Sequence, residues 1–263
     1  MLQAGRLRHI LDLLAQHEEC SVEDLGRACG VSEMTIRRDL GLLARRGQIE
    51  RTHGGAARTS EVSFQFQFLD RAREQAPAKE QIARAAAALV REGQSVLLDS
   101  GTTTLAIARA LRTRGRLTII TTSLPVASAL QNVSDIEVLL LGGYLRRESP
   151  DLAGALTESN LENLRADIAF LGADGIDARG NVYNKTLAIG RMLTKMAASA
   201  KSVYVVADHS KLGRTALARY VHARQFDGLI TDAKASPSML RKLRSADVRV
   251  IIAGSTAEGN GYG

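Results

Sequence analysis

Tryptophan is absent from the 263 residues, and aromatic side chains make up only 4% of them. So few rings exclude an aromatic platform of the kind that stacks successive bases of a single strand. Cysteine is confined to Cys20 and Cys29. These lie close together with no histidine at zinc-binding spacing, so two reduced thiols are expected, and no metal. No apolar run is long enough for a signal peptide or a membrane span, so a cytoplasmic protein away from the membrane is expected. Lysine does not occur before Lys79. The basic charge of the N-terminal segment is therefore all arginine, the side chain suited to bidentate contacts with phosphates and guanines.

What is present divides the chain. The hydrophobic fraction of 45% supports a real core, and the net charge of +7 fits an anionic partner. Residues 37–58 hold Arg37, Arg38, Arg45, Arg46, Arg51 and Arg58 against Asp39 and Glu50, while the acids of the segment lie mostly upstream, from Asp12 to Glu33. One end is basic and the other acidic, as a DNA-facing edge requires. "RLRHILDLLAQHE" places Leu7, Ile10, Leu11 and Leu14 at helical spacing. In "SVEDLGRACG", Ser21 is a helix cap, Asp24 follows it as a short capping-box analogue, and Gly30 is a stop. A third helix begins at the Ser32 cap and stops at Gly47. Three short helices, the last two tightly joined, predict a helix-turn-helix. "QIERTHGGAAR" predicts a small β-wing with a Gly-Gly turn.

On a wheel of about 100° per residue, Ile36, Leu40 and Leu43 of the third helix share a core stripe. Thr35, Arg37, Arg38 and Arg45 fall on the outward side with no acid among them, and Asp39 lies near the core edge. The candidate DNA-facing set is therefore Ser21, Ser32, Thr35, Arg37, Arg38, Arg45, Arg51 and His53.

Residues 59–78 lose the helical pattern and are expected to be a linker, with "SFQFQF" extended and Pro77 as an interruption. From residue 79 to 253, short apolar runs alternate with helical patterns. The strands "SVLLDS", "LTIITT", "IEVLLLGG", "IAFLGA", "SVYVVAD", "DGLITD" and "VRVIIAG" predict an α/β domain with a mostly parallel sheet. Residues 254–263 are expected to be a flexible tail. Residues 1–58 form the expected winged helix-turn-helix domain.

Polar groups gather after five of these strands. "DSGTTT" is a strand-to-helix turn whose N–H groups and hydroxyls, from Asp99, Ser100, Gly101, Thr102, Thr103 and Thr104, suit an anion. It is neither a Walker A loop nor a dinucleotide fingerprint, and no cofactor is expected. Thr122 and Ser123, Gly143 and Arg146, Asp174, and Lys211 follow later strands. Ligands of open α/β sheets bind outside the carboxyl ends of the strands. A small, hydroxyl-rich, anionic ligand such as a phosphorylated sugar fits this set.

Two runs carry a family resemblance. "VSEMTIRRDLGLLARRGQIERTHGGA" resembles the DNA-binding signature of the DeoR (deoxyribose-operon repressor) family of bacterial regulators. "LDSGTTT", "SLPVA", "LLGGYLRRES", "AFLGADGID" and "VADHSKLGR" resemble that family's effector domain. The resemblance covers nearly the whole chain. It implies an effector domain similar in fold to ribose-5-phosphate isomerase. It also implies a helix-turn-helix over 21–40 and a phosphorylated sugar or related metabolite bound by Asp99 to Thr103, Ser123, Asp174 and Lys211. The chain departs from the family pattern at "NKTLAIGRMLTKMAASA", which lacks the usual Glu and Lys-Arg pair, and at Thr122, where Asn is usual. Lys185, Arg191 and Lys195 are the basic groups available to substitute. The competing reading is a sugar-phosphate isomerase or deaminase with a DNA-binding appendage, using Asp99 and Asp174 as acid and base. The altered helix lacks the fixed acid and base that proton transfer needs, and adjacent residues in "DHS" cannot form a triad, so no catalytic residue is expected. The expected partners are double-stranded operator DNA, the effector and further copies of the chain, as a dimer or tetramer.

Overall fold

A computed structural model describes residues 3–17, 19–45, 48–57, 68, 70–146 and 149–254. The chain divides into two compact units, the first running to Asp70 and the main body of the second beginning at Arg71.

The first unit runs α1 (Gln3–Gln16), β1 (Glu19–Ser21), α2 (Val22–Cys29), α3 (Glu33–Arg45), β2 (Glu50–Thr52) and β3 (Gly55–Ala57). Local signals set the helix limits. The Ser21 hydroxyl accepts from Asp24 N at 3.0 Å, and Gly30 ends α2 with φ 65°, where a Cβ would strain the backbone. Leu7, Ile10, Leu14, Val22, Leu25, Ile36, Leu40, Leu43, Ile49 and Ala56 bury a common core. The wing is a β2–β3 hairpin, and β1 adds to it, giving the antiparallel order β1-β3-β2. Periodicity did not announce β1, because three residues carry no period. Gly55 makes the addition possible: a Cβ there would lie 2.2 Å from the Cys20 carbonyl oxygen. The expected stop at Gly47 lies outside the described residues.

The second unit holds α4 (Ala76–Ala88), β4 (Ser95–Leu98), α5 (Thr102–Leu111), β5 (Leu117–Thr121), α6 (Leu124–Leu130), β6 (Ile136–Leu140), β7 (Tyr144–Leu145), β8 (Leu152–Ala153), α7 (Ala155–Glu162), β9 (Ala166–Gly172), β10 (Gly175–Ile176), β11 (Val182–Asn184), α8 (Leu187–Ala198), β12 (Ala200–Val206), β13 (Ala218–Val221), β14 (Gly228–Asp232), α9 (Pro237–Ser245) and β15 (Val250–Ala253). The seven strands expected from sequence are the seven of one all-parallel sheet, in the order β15-β14-β12-β9-β4-β5-β6. Near-continuous apolar runs such as "VLL" and "IAFL" suit strands buried on both faces. From β4 the chain builds outward through β5 and β6, then returns to the other side of β4 as β9 and continues to β15. The direction of winding reverses beside β4, so its carboxyl end opens at the switch point of the sheet.

The expected linker is partly wrong. Residues 59–67 lie outside the described part, and with them all of "SFQFQF" except Phe68, which is helical and buried. Residues 70–73 are helical, and α4 already begins at Ala76. Pro77 sits in the first turn of α4, where its missing N–H has no helical partner to lose, so it starts a helix rather than interrupting one. The tail from residue 255 also lies outside the described residues.

Candidate DNA-binding helix and effector site

Helix α3 separates two faces. Ile36, Leu40 and Leu43 are buried, whereas Arg37, Arg38 and Arg45 are exposed and Thr35 is half-buried. Asp39 goes further inward than the wheel suggests. It is 1% exposed and accepts from Arg6 Nε of α1 at 2.6 Å, with Gln3 Nε2 at 3.2 Å. The pair fixes α3 against α1. The outward face is not free of acid: Glu33 binds Arg37 Nη2 at 3.2 Å, with both side chains about half exposed. Such an i,i+4 pair is weak in water and does not lock the guanidinium. Ser32 Oγ accepts from Thr35 N at 3.4 Å and lies 3.1 Å from Thr35 Oγ1, so it caps α3. Ser21 is a cap as well, donating to Asp24 Oδ2 at 2.6 Å. Arg51 and His53 are exposed on the wing.

At the carboxyl edge of the sheet, Asp99 sits at the switch point. Its Oδ1 accepts from Ser100 N at 2.6 Å and its Oδ2 from Gly172 N at 3.0 Å, so both oxygens bind backbone. Burial pushes its carboxyl up to about 6, the neighbouring Asp151 adds to the rise, and the two N–H donors and Arg146 oppose it. Thr104 Oγ1 donates within the same turn, to Gly101 O at 2.8 Å, and to Asp99 O. Helix α5 starts from Gly101, which offers no side-chain cap, and Thr102 and Thr103 stand in its first turn. Thr102 Oγ1 also donates to Arg71 O at 3.4 Å.

Three groups surround this turn. On the β5–β6 side, Thr122 and Ser123 are fully buried, and Ser123 Oγ caps α6 through Val126 N at 3.3 Å. Arg146 grips Asp151 at 2.6 and 2.8 Å, and Ser100 Oγ donates to the same carboxylate. Gly143 is a packing position: a Cβ there would lie 2.2 Å from Thr157 Oγ1. On the β9 side, Asp174 accepts from Lys185 N at 3.0 Å, and Tyr220 OH donates to Gly172 O at 2.6 Å. Burial, with Asp99 and Asp174 nearby, pushes the Tyr220 phenol well above its ordinary value. On the β12 side, Lys211 lies in the short 3₁₀ turn His209–Lys211 that Asp208 caps. The Lys79 ammonium of α4 donates to Arg71 O and, at 2.5 Å, to Glu74 O. Burial lowers its proton affinity, Asp208 opposes that, and Lys211 adds to it.

Sequence reasoning missed Lys79, Asp151 and Tyr220. Lys79 stands at the expected domain boundary, Asp151 lies in a short hairpin without periodicity, and Tyr220 is on a strand of the small β10-β11-β13 sheet. The basic substitutes are placed elsewhere. Lys195 binds Glu162 at 2.6 Å and Glu158 at 3.4 Å on α7, and Arg191 lies 3.9 Å from Glu158. Of the three, only Lys185 lies at Asp174, and through its backbone.

An arginine-faced helix-turn-helix with a wing, followed by a parallel α/β domain with a polar carboxyl edge, defines a ligand-sensing DNA-binding regulator rather than an enzyme. The DeoR-like helix-turn-helix domain matches residues 6–62, and the DeoR C terminal sensor domain matches residues 74–233. The chain belongs to the DeoR family of transcriptional regulators. It is similar to the "HTH-type transcriptional regulator GlpR" of Haloferax volcanii, 36% identical over 95% of this chain and 98% of that one. It is 35% identical to the "Putative aga operon transcriptional repressor" of Escherichia coli O157:H7, over 95% of this chain and 93% of that one. It is 34% identical to the "Glycerol-3-phosphate regulon repressor" of Escherichia coli K12, over 95% and 99%. Among solved structures, ribose 5-phosphate isomerase A of Methanocaldococcus jannaschii is similar over 51% of this chain and 53% of its own, at 21% identity and a TM-score of 0.39. A likeness that low carries no argument about ligand or activity. Among the described residues no helix is long and apolar enough to cross a membrane, and no group of three or more His, Cys, Asp or Glu could hold a metal.

Proposed function

We propose that the chain represses a carbohydrate-catabolism operon and is released by a phosphorylated sugar or related metabolite. Two protomers present paired α3 helices to a repeated operator. Arg37, Arg38 and Arg45 contact phosphates and base edges, Thr35 and Ser32 approach the groove from the start of α3, and Arg51 and His53 flank the backbone. The effector sits at the carboxyl edge, its anionic group at Ser100–Thr103 and its hydroxyls toward Asp174 and Lys211. The observation that carries the DNA half is the division of α3 into a buried apolar face and an exposed arginine face. The names of two relatives, an aga operon repressor and a glycerol-3-phosphate regulon repressor, support the metabolic half. For release, the effector must bind one arrangement of the protein better than the other.

The test is fluorescence anisotropy with duplexes from the intergenic DNA beside the gene. Arg37→Ala with Arg38→Ala is expected to cost about 2–4 kcal/mol of binding. The melting temperature should stay nearly unchanged, because both side chains are exposed. Undiminished DNA binding removes these two contacts from the proposal. A thermal-shift screen of sugar phosphates tests the effector. Stabilisation by non-phosphorylated polyols alone discards the phosphate.

A further inference from the structure

The Asp151 carboxylate holds the partners that the anion reading gives to a ligand. Arg146 Nε and Nη2 donate to it at 2.6 and 2.8 Å, and Ser100 Oγ of the β4–α5 turn donates to Oδ2. Asp151 is fully buried. Its backbone lies across the mouth of β5, paired with Ser123. Leu152 N donates to Thr122 O at 2.9 Å, and Leu124 N donates to Pro150 O at 3.0 Å. Those backbone bonds and the grip on the carboxylate together hold residues 150–152 against the ends of β5 and α6. The acid there also carries an electrostatic cost, since it lies near a second buried carboxyl, Asp99. Beside it the Thr122 hydroxyl is buried without a hydrogen-bond partner among the described residues. The carboxylate closes a cluster of a guanidinium, a turn hydroxyl and a spare buried hydroxyl, donors of the kind that suit an anion.

We propose that Asp151 is the specificity-determining residue of the effector site: its carboxylate sits in the seat that the effector's phosphoryl group takes, and only a group able to take over both Ser100 and Arg146 displaces it. This rests on the reading of the β4–α5 turn as the anion site. A phosphoryl group brings about two charges and three acceptor oxygens, against one charge and two oxygens for Asp151. A hydroxyl or a single carboxylate gains nothing over the resident group. Asp151 therefore discriminates against unphosphorylated sugars by competition, a repulsive element that works beside the attractive ones. Every phosphorylated ligand binds more weakly than the bare donors would allow, by the cost of the exchange.

The experiment uses the full chain and inorganic phosphate, with chloride-matched controls. Calorimetry is expected to show Asp151→Asn binding phosphate at least tenfold more tightly than the natural protein. Asparagine keeps the shape and removes the competing charge. Amide exchange on the natural protein gives the second reading: saturating phosphate should accelerate exchange at Leu152 as its segment lifts from Thr122. Equal or weaker binding by a folded Asp151→Asn overturns the assignment, and so does unchanged or slower exchange at Leu152. If the variant does not fold, the exchange measurement decides alone. Phosphate that binds neither protein brings down the anion reading together with this one. Phosphate that binds both without a gain in the variant brings down only the role of Asp151.

Discussion

At the scale of single residues, the effector edge shows how one charged group can look like a ligand contact and be a brace. Asp99 follows a strand and precedes a serine, as a sugar-binding carboxylate would. Yet both of its oxygens bind backbone N–H groups, of Ser100 and of Gly172, and so tie β4 to β9. Its carboxyl is raised from 3.8 to about 6 by burial. For an acid raised in this way the folded state holds the proton longer than the unfolded state. Stability therefore falls as pH rises from near 4 to about 6, by about 3 kcal/mol at most from this one group. Asp99→Asn is expected to lack that slope in melting temperature against pH, whatever its stability at any one pH. A variant that keeps the slope assigns it to another group.

At the scale of elements, the first unit is governed by caps and close approaches. Ser21→Ala removes the acceptor for Asp24 N and is expected to cost about 1 kcal/mol by denaturant unfolding. Gly55→Ala should cost much more, because its methyl would meet the Cys20 carbonyl oxygen at 2.2 Å and the obstacle is the backbone of β1 rather than a side chain that can turn away. Loss of the wing should then reduce DNA binding along with stability. Equal stability of Gly55→Ala and the natural protein would show that β1 and β3 separate at little cost. The helix limits were legible in the sequence because caps are local chemistry: Ser21, Gly30 and Ser32 act on N–H and C=O groups a few residues away. Strand β1 was not legible, because it exists only where β3 comes alongside it.

At the scale of the whole molecule, the seven parallel strands were legible as seven apolar runs, but their order was not. The reversal of winding beside β4 brings together residues as far apart as Asp99 and Gly172. The same geometry separates groups that the sequence offered together: Gly143 is packed against Thr157, and Lys195 is paired on α7. Lys79 adds a connection of its own. Its ammonium and the Thr102 hydroxyl both donate to Arg71 O, so the turn read as the anion site also holds the start of the second unit's chain. Lys79→Met is expected to speed amide exchange over residues 72–76 relative to the natural protein, while α5 stays protected. Unaltered exchange there would mean that α4 alone holds this segment.

The sequence by itself determined the division of labour: an arginine-faced helix-turn-helix, then a parallel α/β domain with polar strand ends. Those features follow from periodicity, caps and local charge, which act over a few residues. Only the tertiary structure decided which polar residues meet. Hydrogen bonds form by distance in space, and the topology of the sheet sets that distance. It turned Asp99 into a brace, buried Asp39 against Arg6, and set Asp151, which no sequence signal singled out, between Ser100 and Arg146.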